Sequence, residues 1–130
     1  MKKILIIDDD FAARSLYKRA LEKIAVCTES GQALDAIEKF NKSLRKNEHF
    51  DLIILDISLP GMNGLEVLEI IRNKEERIDS KRGIPIIMIS ANSEEKLVLE
   101  ACEKGCNDYL VKPFDNLKLI EKIKHYLGIE

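Results

Sequence analysis

No apolar run in this sequence approaches the length of a bilayer span. Ile4-Leu5-Ile6-Ile7 and Leu52-Ile53-Ile54-Leu55 each stop at an aspartate, whereas a spanning helix takes ~20 apolar residues. Met1-Lys2-Lys3-Ile4 leads straight into the first of these runs rather than into a secretory leader. The expectation is therefore a cytoplasmic chain with no membrane insertion. Cysteine is scarce: Cys27, Cys102 and Cys106 are an odd number, with no C-x-x-C pair. That speaks against a disulfide framework and for reduced, partly buried thiols. Cys102 and Cys106 stand four apart, but no histidine or third cysteine joins them, which favours packing on one helix face over a metal. Charge is nearly balanced at a net −2, so no global basic field draws nucleic acid. Repeats, low-complexity tracts and linkers are missing too. The 130 residues, 45% hydrophobic and 34% charged, suit one globular domain over 1–130 with a substantial core.

What is present alternates. Short apolar runs are separated by segments with helical spacing, the pattern of βαβ units around a parallel sheet. The strands are expected at Lys3 to Ile7, Val26 to Thr28, Asp51 to Leu55, Ile84 to Ile89 and Asp108 to Val111. The second is weakest, as an edge strand would be. The third is apolar after its first residue, as a central strand buried on both faces would be. Inward helix stripes are expected from Ala13, Leu16, Ala20 and Ile24, and from Leu34, Ile37, Phe40 and Leu44 after an opening at Ser30-Gly31. Leu65, Leu68 and Ile71 begin a third helix. Leu97, Val98, Ala101 and Cys102 mark a fourth that ends at Gly105, and Leu117, Ile120, Ile123 and Leu127 a fifth that ends at Gly128. The charged stretch Asn73 to Gly83 reads as a helix end plus an exposed loop. Right-handed crossovers close these units as an α/β fold: a doubly wound five-stranded parallel sheet in the flavodoxin-like order 2-1-3-4-5, with helices on both faces.

In such a sheet ligands bind where the strands end, at the switch point between the first and third strands. Those two strands end in Asp8-Asp9-Asp10 and Asp56; the fourth ends in Ser90 and the fifth in Lys112. Two carboxylates ~4 Å apart repel by roughly 4 kcal/mol at an effective dielectric of about 20. Protonation, a lysine or a hard cation relieves that repulsion. Mg²⁺ suits carboxylate and carbonyl oxygens and keeps positions open for phosphoryl oxygens. A carboxylate can act as a nucleophile and form an acyl phosphate. Ser90 could donate to a phosphoryl oxygen and Lys112 neutralise its charge.

The stretches ILIIDDD, DLIILDISLPGMNG, IIMISA and DYLVKPF, in that order and across nearly the whole chain, resemble the response-regulator receiver domain of two-component phosphorelay signal transduction. The resemblance implies a phosphoprotein in which Asp56 forms the aspartyl phosphate, with a histidine kinase or phosphotransfer protein as donor. It implies Asp9, Asp56 and the Ser58 carbonyl as direct Mg²⁺ ligands, with Asp8 acting mainly through water. Ser90 takes the switch-hydroxyl place, Tyr109 the switch-aromatic place and Lys112 that of the pocket lysine, with a cis Lys112-Pro113 bond. The surface of the fourth helix, fifth strand and fifth helix would then be read by a downstream protein partner, without direct nucleic-acid contact. Such a chain is not an enzyme beyond catalysing its own phosphorylation and dephosphorylation. With no output domain after Leu127, a stand-alone regulator is expected; relay to another phosphotransfer histidine, or a receiver cut from a longer multidomain protein, stay open. Gly31 to Asp51 runs about a turn longer than is common in the family, with Asn41 to His49 as the extra material. Lys74 to Gly83 is also long, and both bear on partner choice. The resemblance also places Ser58 and Asn92 at positions that, in the family, tune how long the phosphoryl persists.

Plainer roles are assigned elsewhere. Asp10 reads as a helix N-cap, and Ser93 before Glu94-Glu95 as the cap of the fourth helix. Lys39, Lys42, Arg45 and Lys46 read as a solvated helix face. His49 and His125 are assigned nothing. A rival is a small haloacid-dehalogenase-like phosphatase built on Asp8, Asp10, Ser90 and Lys112. There Ala12 stands where that motif wants threonine or valine, no later acidic pair appears, and Asp56 goes unexplained. A third reading is an interaction module on the same fold that has lost phosphorylation; the complete pocket argues against it.

Overall fold

The continuous apolar runs become the inner strands of a sheet covered on both sides. The computed structural model describes residues 1–78 and 83–130. In chain order its elements are β1 (Lys2–Ile7), α1 (Phe11–Leu21), β2 (Ala25–Ser30), α2 (Ala33–Arg45), β3 (Leu52–Asp56), α3 (Gly64–Ile78), β4 (Ile86–Ser90), α4 (Glu95–Glu103), β5 (Asp108–Val111) and α5 (Asn116–Leu127). The strands pair in parallel in the order β2-β1-β3-β4-β5, as expected. Side chains alternate across the sheet. Leu5 and Ile7 of β1 join a core with Phe40 of α2, Leu68 of α3 and Ala101 of α4. Ile4 and Ile6 join a second core with Tyr17 of α1 and Ile123 of α5. All five residues of β3 and of β4 are buried, because both faces carry helices.

Three inward stripes differ from expectation. In α1, Leu16 is 55% exposed, and Tyr17 and Leu21 are the buried positions. Asp10 caps this helix, its carboxylate accepting from the Ala12 N–H at 3.0 Å, and the helix phase set there turns Tyr17 inward. Tyr17 then stacks on Phe114 at 5.9 Å between ring centroids. In α2, Leu34 is exposed, while Ala33, Ala36, Phe40 and Ser43 are buried. The two alanines let the helix close on the sheet, leaving Ile37 and Leu44 at the margin. In α5 the stripe is Leu119, Ile123 and Leu127, with Leu117 exposed. Ser30 ends β2 rather than opening α2, whose N-cap position is Gln32.

Two smaller expectations also change. Ser93 does not cap α4; the Asn92 side-chain oxygen accepts from the Glu94 N–H at 2.8 Å instead. Cys106 lies beyond the end of α4 at Glu103, so it does not share a helix face with the exposed Cys102.

The charged stretch after Ile71 is more structured than its composition suggests. Helix α3 continues to Ile78, and Glu75 is buried. Its carboxylate accepts from Arg72 at 2.6 Å and from the Ile84 N–H at 2.6 Å. Arg72 also donates to the Gly105 carbonyl and to the Asn107 side chain, both at 2.9 Å. The network pins the loop before β5 to α3. The loop part of the stretch, 79–82, lies outside the described residues. Glu75→Ala leaves Arg72 and a backbone N–H without their acceptor, at an expected cost of about 3 kcal/mol. The urea midpoint checks this; an unchanged midpoint would show the network to be dispensable.

Candidate functional site

β1, β3, β4 and β5 all point their C-terminal ends the same way, so their last side chains meet above the sheet edge. Asp8 is almost fully enclosed, at 1% exposure, and each of its polar atoms is held. Its N–H donates to the Ser30 carbonyl at 3.0 Å. Its carbonyl accepts from Arg14 at 2.6 Å. One carboxylate oxygen accepts from the Asp10 N–H at 2.9 Å, and the other from Lys112 Nζ at 3.0 Å. Asp56, also buried, accepts from the same Lys112 Nζ at 3.0 Å and, on its other oxygen, from the Ser58 N–H at 3.0 Å. Lys112 thus spans the two strand tips. Asp9 is exposed, and Asp8, Asp9 and Asp56 each offer an oxygen within 4.8 Å of one another.

Burial lifts the Asp56 carboxyl above the usual aspartate range. The Ser58 N–H and Lys112 pull the other way without cancelling it, and the Asp8 charge adds to the lift. Burial works against the charged form of Lys112, but its bonds to Asp8 and Asp56 outweigh that and raise it above an ordinary lysine. One half-buried ammonium therefore serves two buried carboxylates, and a third carboxylate stands beside them. Three hard oxygen donors with a surplus of negative charge fit a small divalent cation.

Ser90 is buried, and its hydroxyl accepts from the Asn92 N–H at 3.0 Å. It follows Ile89, which is in register with Asp56. Tyr109 is half-buried against the α2–α3–α4 core, and its hydroxyl donates to the Asn92 carbonyl at 2.9 Å. The Lys112–Pro113 peptide bond is cis, as the resemblance implies. The loop from Ser58 to Asn63 folds back so that the Gly64 N–H reaches the Ile57 carbonyl at 2.7 Å. A Cβ on Gly64 would collide with the Asp56 carbonyl and stand 2.7 Å from the Ile57 Cα. Gly64→Ala is expected to cost about 3 kcal/mol through backbone displacement beside Asp56. Thermal unfolding checks this; a melting temperature equal to the parent's would contradict it.

The structure brings Asp8, Asp9, Asp56 and Lys112 together, with Ser58 bonded to Asp56 through its N–H; Ser90 ends the neighbouring β4, and Tyr109 lies further down β5, in register with Met88. Arg14 was not anticipated. It braces the Asp8 carbonyl in the turn between β1 and α1 while its Nε donates to Glu29 of β2 at 3.3 Å, a tertiary contact that helix spacing does not announce.

The response regulator receiver domain profile matches residues 4–124. The chain belongs to that family. It is 34% identical over 127 residues to the transcriptional regulatory protein ResD of Bacillus subtilis, spanning 48% of that protein's length. It is 33% identical over 123 residues to the chemotaxis protein CheY-3 of Vibrio cholerae, spanning 88% of it. Among solved structures, a two-component response regulator from Clostridium difficile superposes with a TM-score of 0.83 at 31% identity, over 98% of this chain and 97% of that one. A CheY-like receiver from Methanospirillum hungatei gives 0.82 at 30%, over 98% and 94%. The chain is a phosphorelay response-regulator domain, and its family is one of signalling proteins that work through kinases and downstream targets. The phosphatase reading is not favoured: Asp10, its second carboxylate, turns away to cap α1. Among the described residues no helix is long and apolar enough to cross a membrane.

Proposed function

We propose that this receiver takes a phosphoryl group on Asp56 and uses it to switch the surface of α4, β5 and α5. The observation that carries the reading is Lys112 Nζ at 3.0 Å from both Asp8 and Asp56, beside a three-carboxylate cluster. Asp9, Asp56 and the Ser58 carbonyl would hold Mg²⁺ directly, and Asp8 through water. When bound, the ion offsets the cluster's charge and stabilises charge developing on the transferring group. An Asp56 oxygen attacks phosphorus in line as the donor's phosphorus–nitrogen bond breaks. Lys112 keeps one phosphoryl oxygen neutralised. Ser90 exchanges its Asn92 contact for a charge-assisted hydrogen bond to the phosphoryl group. The space it leaves admits Tyr109, whose hydroxyl gives up the Asn92 carbonyl. Phosphorylation acts by favouring the second arrangement through contacts that exist only there.

The donor is a sensor histidine kinase or phosphotransfer protein, and the reader a downstream protein rather than nucleic acid. The domain works in the cytoplasm, and its only catalysis is on its own Asp56. Incubation with acetyl phosphate and Mg²⁺, followed by peptide mapping, tests this. One base-labile phosphoryl on the Asp56 peptide, absent with chelator, is expected. Labelling elsewhere, or labelling that survives chelation, would overturn it.

A further inference from the structure

The lysines of α2 line a groove. Lys39, Lys42 and Lys46, with Lys3 of β1, rim a depression of about 370 Å³ whose floor includes Val26 and Phe50. Glu48 is the one acid among its lining residues. Lys39 is engaged by Asp35 at 2.9 Å and by the Glu29 carbonyl at 2.6 Å. Lys42 and Lys46 are exposed and make no ion pair among the described residues. A chain of net charge −2 thus concentrates cations at one place, and an anionic occupant would relieve their repulsion.

The strand beside the groove is unpaired on its outer side. β2 pairs only with β1. The Ser30 carbonyl accepts from the Asp8 N–H, so Ser30 faces β1. Alternation along the strand then turns the backbone groups of Cys27 and Glu29 outward. Lys39 takes the Glu29 carbonyl. The N–H groups of Cys27 and Glu29 and the carbonyl of Cys27 remain for a partner. Val26, 56% exposed, precedes Cys27 on the strand.

We propose that this groove docks an acidic, extended segment of a partner protein, added alongside β2. Carboxylates answer the lysines, backbone groups answer the strand edge, and a small apolar side chain answers Val26. A nucleic acid or lipid headgroup answers only the charge. β2 and β5 are opposite edges of the sheet, so the docking face is separate from the α4–β5–α5 surface. Lys3 and Val26 lie toward the N-terminal ends of their strands, away from Asp8 and Asp56. Docking is therefore independent of phosphorylation, and its failure would leave the Asp56 reading untouched.

The test is an amide NMR titration of the unphosphorylated chain with a short peptide of alternating glutamate and valine. Saturable shifts at Cys27, Glu29 and the α2 lysines are expected. The double variant Lys42→Glu, Lys46→Glu should bind about tenfold more weakly; both positions are exposed, so the fold is retained. An acidic peptide of the same charge with prolines at alternate positions cannot pair with the edge and should also bind about tenfold more weakly. No saturable shift, shifts confined to other elements, or equal binding by the proline peptide would overturn the proposal. Tighter, lysine-dependent binding of single-stranded oligothymidylate would overturn it as well, by making the groove a general polyanion site.

Discussion

Asp56→Asn is expected to abolish phosphorylation while leaving the fold intact or firmer. The variant should gain no base-labile phosphoryl from acetyl phosphate and Mg²⁺ under conditions that label the parent stoichiometrically. An amide keeps the shape of the side chain but has one oxygen, so it can still accept from the Ser58 N–H at 3.0 Å, while Lys112 Nζ, which bonded the second carboxylate oxygen at 3.0 Å, keeps Asp8 as its acceptor. It lacks the charge that makes a carboxylate a nucleophile. The stability change follows from the direction of the Asp56 pKa. Burial raises it above the ordinary value of 3.8. A raised acid favours its neutral form in the folded state. Its contribution is fully present below the unfolded value and is lost as pH rises through the folded value. At neutral pH the ionised Asp56 therefore weighs against folding, and asparagine removes that burden. Without Mg²⁺, Asp56→Asn should unfold at higher urea than the parent at pH 7, and the two should converge near pH 4, about the unfolded aspartate value. Stoichiometric label on the variant would sink Asp56 as acceptor, and a lower urea midpoint at pH 7 would contradict the electrostatic argument.

Lys112→Ala removes the only ammonium that touches both strand tips among the described residues. Asp8 and Asp56, at 1% and 6% side-chain exposure, would face each other with no cation between them. Breaking a buried pair by taking one partner costs about 3–5 kcal/mol. Lys112 keeps 27% of its side chain in solvent, so the expected loss here is smaller, about 2–3 kcal/mol. Mg²⁺ should restore much of it, because a divalent ion can take over the charge. Urea unfolding with and without Mg²⁺ measures both effects, and a loss that Mg²⁺ does not repair would argue against a shared acidic site. The second consequence is functional. Without Lys112 the phosphoryl group is no longer fixed where Ser90 can reach it, so phosphorylation should lose its grip on Tyr109. Phosphorylation of the parent should move the amide resonances of Asn92 and Tyr109; in the variant they should stay in place. Equal movement in both proteins would remove Lys112 from the switch.

The strands and the acidic edge were legible because their signals are one-dimensional. A strand buried on both faces must be apolar throughout, and Ile53 to Leu55 could hardly be anything else. Parallel strands share one direction, so residues that end separate runs must assemble at one edge, whatever the loops between them do. The helix faces were harder to read. A period of 3.6 leaves neighbouring stripes nearly equivalent. Leu16 and Leu34 are apolar enough to claim the core that Tyr17 and Ala33 occupy. Asp10's cap sets the phase of α1, and the close approach of two alanines sets that of α2.

The sequence by itself determined the layering, the strand order and which side chains crowd the sheet edge, because burial and chain direction act residue by residue. Only the tertiary structure decided what each polar group there is bound to. Lys112 reaches Asp8 across 104 positions, and Arg72 reaches Asn107 across 35. Arg14 finds Glu29 of β2, and Lys39 finds the backbone of the edge strand. Such partners are fixed by where the packed helices bring long side chains, a distance in space that no spacing along the chain encodes.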